Sequence, residues 1–390
     1  LHFLDMGTGQ YGDCIVCRRS DRSILIDGGR PGDETDNQGA ETIPDQLAEI
    51  FGHPAPFAFD LLVVTRVHVD HTGCLPAMVK KGIVTAKHAL VADVDLAYGR
   101  VKGAEKFSLA GLTAAELAAL AAVREEAAFE GLSDVAAESL IAKAAGQEGR
   151  YGDMIDTLKN AGTKVEPFVG QDLSRLEQTF ADFEIKFLGP TANHLEICAR
   201  AIANGLKKNS DLLKEWPALV KETDPVAIFR MLTQSEELGL LADKSRPGNA
   251  LNNQSIVISL GSGNGRVLLT GDMQFAEPDL GAVDAEMERL RAAIRARGPY
   301  AFAKVAHHGS GNAFNPSVID DVGAKYLGIS GGEHGADHPS SSVLKLLREK
   351  EKELKWARTD KNGCIHARIT EAGVEVKIAK GKLNDSTPNP

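Results

Sequence analysis

Short apolar runs bounded by glycine, proline and aspartate alternate with amphipathic segments along much of the chain. Residues 61–64, Leu-Leu-Val-Val, are apolar without interruption, which predicts a strand covered on both faces. Residues 42–51 carry apolar side chains at helical spacing, and residues 365–369 and 374–378 predict a closing β-hairpin. Because strand and helix patterns alternate, the sequence predicts an α/β fold.

Two stretches depart from this alternation. Residues 101–175 are rich in Ala, Glu and Leu at a spacing of about 3.6 residues, which predicts a helical insertion, and residues 191–249 predict a second one. We therefore expect one domain over 1–380, and a polar, proline-containing flexible tail over 381–390. The core of that domain is predicted from the remaining segments, 1–100, 176–190 and 250–380.

The composition is that of a folded globular chain. Of 390 residues, 43% are apolar, while 44 Lys and Arg against 54 Asp and Glu give a formal charge of −10. This acidity argues against an extended nucleic-acid surface, although it leaves a local basic groove open. No window reaches the roughly 18 uninterrupted apolar residues of a membrane span, so no span is predicted.

Five cysteines scattered along the chain argue against a disulfide scaffold and favour a cytoplasmic location. Cys14 and Cys17 form a C-x-x-C pair, but residues three apart on a strand point to opposite faces, so we expect both to pack as small apolar side chains. No secretory signal opens the sequence. The chain begins at Leu1 rather than at a methionine, which is compatible with a missing native N-terminus.

Metal-ligand residue types follow three predicted strands. The strand at 61–64 leads into Thr-Arg-Val-His-Val-Asp-His-Thr-Gly at 65–73, the strand at 267–269 leads to Asp272, and the strand at 302–306 leads to His307 and His308. In an extended segment, residues 66, 68 and 70 share one face, and His71 can turn inward at the following glycine. Any one of these residues could be a capping Asp or a packed His. Together they predict a divalent metal site.

Segment 65–73 resembles the H-x-H-x-D-H signature of the metallo-β-lactamase superfamily, with Arg66 in place of the first histidine. Further segments resemble one branch, the metallo-β-lactamase domain of ComEC-type DNA-uptake proteins and their free-standing relatives. They are FLDMGTGQ at 3–10, ILIDGG at 24–29, LTGD at 269–272, AHHGS at 306–310, HPS at 338–340 and TDKNG at 359–363. The resemblance covers most of the chain apart from the two insertions.

The resemblance implies a four-layer αββα sandwich with metals at one edge, between two sheets. It implies that His68 serves a first metal and that Asp272 bridges to a second. The second metal would take Asp70, His71 and one of His307 and His308, with His307 slightly favoured. Asp27 would support a ligand histidine, and His338 would lie near the leaving group as a proton donor or, alternatively, would be a loop residue before a capped helix.

Arg66 is the main departure from the signature. A guanidinium has no lone pair for a metal, so the first site keeps only His68 and Asp272. We therefore expect one tightly bound Zn or Mn, held by the fuller ligand set of the second site, and a weak or empty first site. Arg66 can stabilise negative charge during catalysis, or it can pair with Asp70 or Asp272 in a protein that has lost activity. Both interpretations stay open, as does whether Arg66 is the native residue.

The function expected from this site is metal-dependent hydrolysis by an activated water, with Asp70 orienting the water. The branch favours phosphodiesterase or nuclease-like activity on a small phosphodiester, a nucleotide or single-stranded nucleic acid. Lactone, thioester or β-lactam hydrolysis is the alternative within the superfamily. A different class of function is a catalytically silent scaffold whose helical insertions bind a protein partner or a second copy of the chain.

Overall fold

The chain folds into a mixed α/β sandwich. The computed structural model describes residues 1–7, 9, 11–101, 134–215, 224, 226–227, 247–332, 338–370 and 372–388. Within them, strands form one eight-stranded and one six-stranded sheet, and helices cover the outer faces. No helix in these ranges is both long and apolar enough to cross a membrane.

The first sheet combines a parallel half with an antiparallel half. Pairing is parallel from β3 through β6 and antiparallel elsewhere. In spatial order its strands are β14 Gly373–Ile378, β13 Ile365–Thr370, β1 His2–Phe3, β2 Ile15–Arg19, β3 Arg22–Ile26, β4 Phe57–Val64, β5 Val84–Ala92 and β6 Lys164–Phe168.

The second sheet is parallel from β9 through β12 and antiparallel at β7 and β8. Its order is β12 Lys355–Arg358, β11 Tyr326–Ile329, β10 Phe302–Lys304, β9 Val267–Leu269, β8 Val257–Leu260 and β7 Lys186–Gly189. Because β4, β9 and β10 end at the same edge of the sandwich, the loops that follow them can meet.

The helices begin and end with local signals that the sequence carries. Thr42 caps the first helix by accepting a hydrogen bond from the Asp45 N–H, and Gly52 ends that helix in the left-handed conformation. The helices are α1 Ile43–Phe51, α2 Val69–Thr72, α3 Leu75–Lys80, α4 Val94–Ala97, α5 Asp134–Asn160, α6 Ser174–Thr179, α7 Ala192–Glu215, α8 Pro247–Asn252, α9 Asp284–Arg297, α10 Pro316–Val322, α11 Ser341–Glu349 and α12 Thr359–Asn362.

Strand β4 shows why its sequence is apolar without interruption. Leu62 and Val64 pack against α1 and α3 on the outer face, whereas Leu61 and Val63 pack between the two sheets. A third apolar cluster lies between the second sheet and α9, α10 and α11. The layers are therefore helices, sheet, sheet and helices, and both faces of β4 are buried.

The two cysteines of the C-x-x-C pair lie on opposite faces, as predicted. Cys14 belongs to the cluster beneath the helices and Cys17 to the cluster between the sheets. Both are free thiols, and burial raises the pKa of each. They therefore pack as apolar side chains rather than as reactive thiols.

The prediction of a wholly helical insertion over 101–175 is wrong at its C-terminal end. Lys164–Phe168 is β6, which pairs in parallel with β5. The sequence did not predict this strand because a short, exposed edge strand has little alternation of apolar and polar residues. The helical prediction holds for α5, and residues 102–133 lie outside the described residues. In the second insertion, α7 is helical, and most of residues 216–246 lie outside the described residues.

The segment predicted as a flexible tail, 381–390, is described up to residue 388, and it contacts the end of β12. The Asn384 N–H donates to the Trp356 carbonyl oxygen at 2.9 Å, and Arg358 donates to the Thr387 carbonyl oxygen at 2.7 Å. The Trp356 carbonyl oxygen as an acceptor and the Arg358 guanidinium as a donor thus connect the end of β12 to this polar segment, a tertiary contact that local composition does not reveal.

Candidate metal centre

The segment after β4 does not stay extended as far as Asp70, as the sequence predicted, but turns at Val69. Val69–Thr72 forms the single helical turn α2, so Asp70 and His71 lie next to each other on a turn rather than on a strand. Asp272 reaches the same place from β9 through Gly271, whose φ of 51° is left-handed. A Cβ at Gly271 would lie 2.8 Å from the Ser255 Cβ, so this close approach requires glycine.

Four buried side chains converge at this edge: Asp70, His71, Asp272 and His308, called here the Asp–His cluster. One ligand atom from each lies within 4.8 Å of the others. His308 Nε2 lies 3.1 Å from both Asp70 Oδ2 and Asp272 Oδ2. His71 Nε2 lies 3.3 Å from Asp272 Oδ2 and 3.6 Å from Asp70 Oδ2. The cluster can hold a metal ion.

His71 is oriented by the residues behind it. Its Nδ1 lies 2.7 Å from Asp27 Oδ2, and Asp27 in turn accepts hydrogen bonds from the N–H and hydroxyl of Thr65. Its Nε2 is buried and has no hydrogen-bond partner among the described residues. A ring nitrogen that is fully buried, unpartnered and aimed at two carboxylates fits a metal ligand.

The structure places His308, and not the slightly favoured His307, in the Asp–His cluster. Both residues have left-handed φ values, 49° and 51°, so the turn sends their side chains in different directions. His308 is held at Nδ1 by the Ser330 carbonyl oxygen at 2.8 Å. His307 instead lies between the side-chain amides of Asn252 and Asn312, at 3.3 Å from each.

The other two histidines named from the sequence lie beside the cluster. His68 Nδ1 is 2.5 Å from Asp70 Oδ1 but does not belong to the Asp–His cluster. The His338 ring lies 4.9 Å from the rings of both His307 and Tyr11, centroid to centroid. Tyr11 also stacks on His308 at 4.4 Å, which connects His338 to the cluster through one aromatic ring.

Arg66 is fully buried and forms ion pairs with both carboxylates of the cluster. Its Nη2 lies 2.6 Å from Asp272 Oδ2 and 3.1 Å from Asp70 Oδ2. The same nitrogen lies 3.1 Å from His68 Nδ1. The pairing expected under one interpretation of Arg66 is thus present, and it engages both aspartates.

Two buried charged residues that the sequence did not single out, Lys304 and Asp13, lie beside the cluster. The Lys304 ammonium is buried and donates to Asp13 Oδ2 at 3.0 Å, to the Gly271 carbonyl oxygen at 2.8 Å and to Asp272 Oδ1 at 3.3 Å. Neither Lys304 nor Asp13 is among the site residues predicted from the sequence. The available signal was a lysine at the end of an apolar strand, because a buried ammonium requires an anionic partner.

Charge around the cluster is balanced through its histidines. Four buried carboxylates, Asp13, Asp27, Asp70 and Asp272, face the two permanent cations Arg66 and Lys304, which leaves two negative charges. Burial and Arg66 lower the pKa of His71, but the surrounding aspartates outweigh them and raise that pKa to about 10. The same competition between burial and carboxylates raises the pKa of His308 to about 9.

Comparison of the chain with protein-family models and with curated proteins finds no match. Two observations therefore bear on function. One is a mixed α/β sandwich, and the other is a buried Asp–His cluster, at the shared edge of its two sheets, that can hold a metal ion.

Proposed function

We propose that this protein is a metal-dependent hydrolase of the metallo-β-lactamase type, acting on a phosphodiester. The observation that carries the proposal is the Asp–His cluster, with two imidazoles and two carboxylates buried together. Such a mixed nitrogen and oxygen set suits Zn or Mn. One divalent ion would also neutralise the two negative charges that Arg66 and Lys304 leave uncompensated.

The bound ion would supply Lewis-acid activation of water and of the scissile phosphoryl oxygen. Asp70 points one carboxylate oxygen into the cluster and the other toward His68, so it can orient a water there. His338 lies one ring away from His308 and can donate a proton to the leaving group. Arg66 and Lys304 supply fixed positive charge at the carboxylates.

The choice of a phosphodiester rests on the resemblance to the DNA-uptake branch. The net charge of −10 favours a small phosphodiester or nucleotide over a long nucleic-acid track. Lactones, thioesters and β-lactams are the alternative substrates within the superfamily. Nitrocefin represents them in the test.

The test is hydrolysis by the full chain after reconstitution with Zn or Mn, measured on bis(p-nitrophenyl) phosphate, single-stranded DNA and nitrocefin. We expect turnover of a phosphodiester and a loss of about 10²–10⁴-fold in Asp70→Ala. His53→Gln is the control, because His53 is exposed and lies outside the cluster, and it should retain wild-type turnover. Cleavage of nitrocefin alone would replace the phosphodiester assignment.

The scaffold alternative predicts the opposite pattern. In that case reconstituted protein hydrolyses none of the three substrates, and a stable partner or a second copy of the chain is recovered with it. Turnover that depends on Asp70 would exclude this alternative.

Substitution of Asp27 by asparagine is expected to weaken metal binding by about 10–100-fold. Asparagine has the same shape and tolerates the left-handed φ of 60° at this position. The change removes the charge behind His71 and replaces one of the two acceptor oxygens that face Thr65 and His71 by a donor. Affinity is measured by competition with a chelator. Asp60→Asn is the matched control, since Asp60 is a buried aspartate that pairs with Lys87 away from the cluster, and its affinity should equal that of wild type.

A further inference from the structure

We propose that the Arg66 guanidinium is a tethered cation that excludes a second divalent ion, and that removing it creates a second metal site beside the Asp–His cluster. This inference deepens the proposed function and rests on it, because it assumes that the cluster itself holds one ion. The position in question is that of Arg66 Nη2, which lies among His68, Asp70 and Asp272.

The groups around Nη2 are of the types that bind metals. They are an imidazole nitrogen at 3.1 Å, both oxygens of Asp70 at 3.1 and 3.2 Å, and Asp272 Oδ2 at 2.6 Å. A buried position lined by one histidine and two carboxylates has three of the ligand groups of a divalent metal site. The occupant here is a covalently attached positive charge.

The same two carboxylates serve the Asp–His cluster. Asp70 Oδ2 and Asp272 Oδ2 each lie 3.1 Å from His308 Nε2, while they pair with Arg66 on the other side. A free divalent ion at the Nη2 position would overlap the guanidinium and be repelled by it, because no lone pair is available and the charge is permanent. The structure thus fits one ion in the cluster and does not fit another at Nη2.

A second buried arginine shows what is particular about this position. Arg358 is also fully buried and pairs with Asp360 at 2.5 Å, but its other donors go to the carbonyl oxygens of Asp385 and Thr387. None of these contacts involves a histidine. They offer one carboxylate and two carbonyl oxygens, which is a poor ligand set for Zn or Mn.

The experiment compares metal content after dialysis against Zn and, separately, Mn, with folding checked by circular dichroism. We expect about one equivalent in wild type and in Arg66→Lys, which keeps the charge, and about two in Arg66→His, which adds an imidazole. In the Mn-loaded Arg66→His protein, electron paramagnetic resonance should show an exchange-coupled pair of ions. Arg358→His is the control and should gain none.

Each other outcome has a definite meaning. One equivalent in wild type and one in Arg66→His overturns the tethered-cation inference and leaves the proposed function standing. Two equivalents in wild type also overturn the inference alone. No metal in either protein overturns the proposed function and the inference with it. If Arg66→His does not fold, wild type is titrated with Mn: saturation at one equivalent without coupling supports the inference, and a coupled second ion overturns it.

Discussion

Replacing Asp272 by asparagine is expected to abolish metal binding and to lower the free energy of unfolding by about 3–5 kcal/mol, because it leaves buried positive charges without their shared partner. Asp272 is fully buried, and its oxygens contact Arg66, Lys304, His71 and His308. Burial raises the pKa of this carboxyl, but Arg66, His308 and the other cations outweigh burial and hold the pKa well below its usual range. The stabilisation is therefore present above the ordinary aspartate pKa and is lost as the pH falls below it.

The measurement is urea unfolding at pH 7 with a chelator present, paired with metal analysis of the folded protein. Asp360→Asn is the matched control, because Asp360 is an equally buried aspartate that pairs with Arg358. Both variants break a buried ion pair and both should lose stability. Only the Asp272 variant should lose the metal, and normal metal content in that variant would remove Asp272 from the ligand set.

The metal-free protein is expected to lose stability as the pH rises from about 6.5 to about 10, because over this range folded His71 and His308 hold protons that the unfolded chain has already lost. Both histidines have a folded pKa above the ordinary value of about 6.5. Their contribution is therefore complete below pH 6.5 and disappears as the pH passes about 9 for His308 and about 10 for His71. Saturating zinc should flatten this fall, because the ion takes the place of the two protons.

The check is a series of unfolding free energies between pH 6 and 10, with chelator and with zinc. His308→Gln should remove the part of the fall that ends near pH 9. His88→Gln is the control: burial and the nearby Lys164 lower the pKa of His88, so its titration lies below this range and the alkaline fall should persist. A metal-free wild type whose stability is independent of pH over this range would contradict the charge balance described for the cluster.

The local pattern of apolar and polar residues was sufficient to predict most of the strands and helices. The apolar run at 61–64 became part of β4 with both faces buried, and the helix predicted over 42–51 became α1 with Thr42 as its cap. These features depend on interactions within a few residues or on the alternation of apolar side chains. Strand β6 was missed because its exposed edge position weakens that alternation.

The site was predictable in its residue types but not in its arrangement. The order of ligand-type residues after three strands indicated that Asp70, His71 and Asp272 would meet, and the structure brings them together. Which of His307 and His308 enters the cluster depends on the turn that contains them, where both residues have left-handed φ values. The sequence does not reveal that backbone conformation. Asp13 is far from Lys304 in sequence, and nothing local indicates their pairing.

What the sequence by itself determined is the set of elements and the chemical types gathered at one edge, since both follow from short-range periodicity and from where strands end. Only the tertiary structure decided which side chains face one another within about 3 Å. The packing of the folded chain also places Arg66 Nη2 between Asp70 and Asp272. The physical reason is that buried charges must be compensated by whichever groups the packing brings within contact, regardless of their separation along the chain.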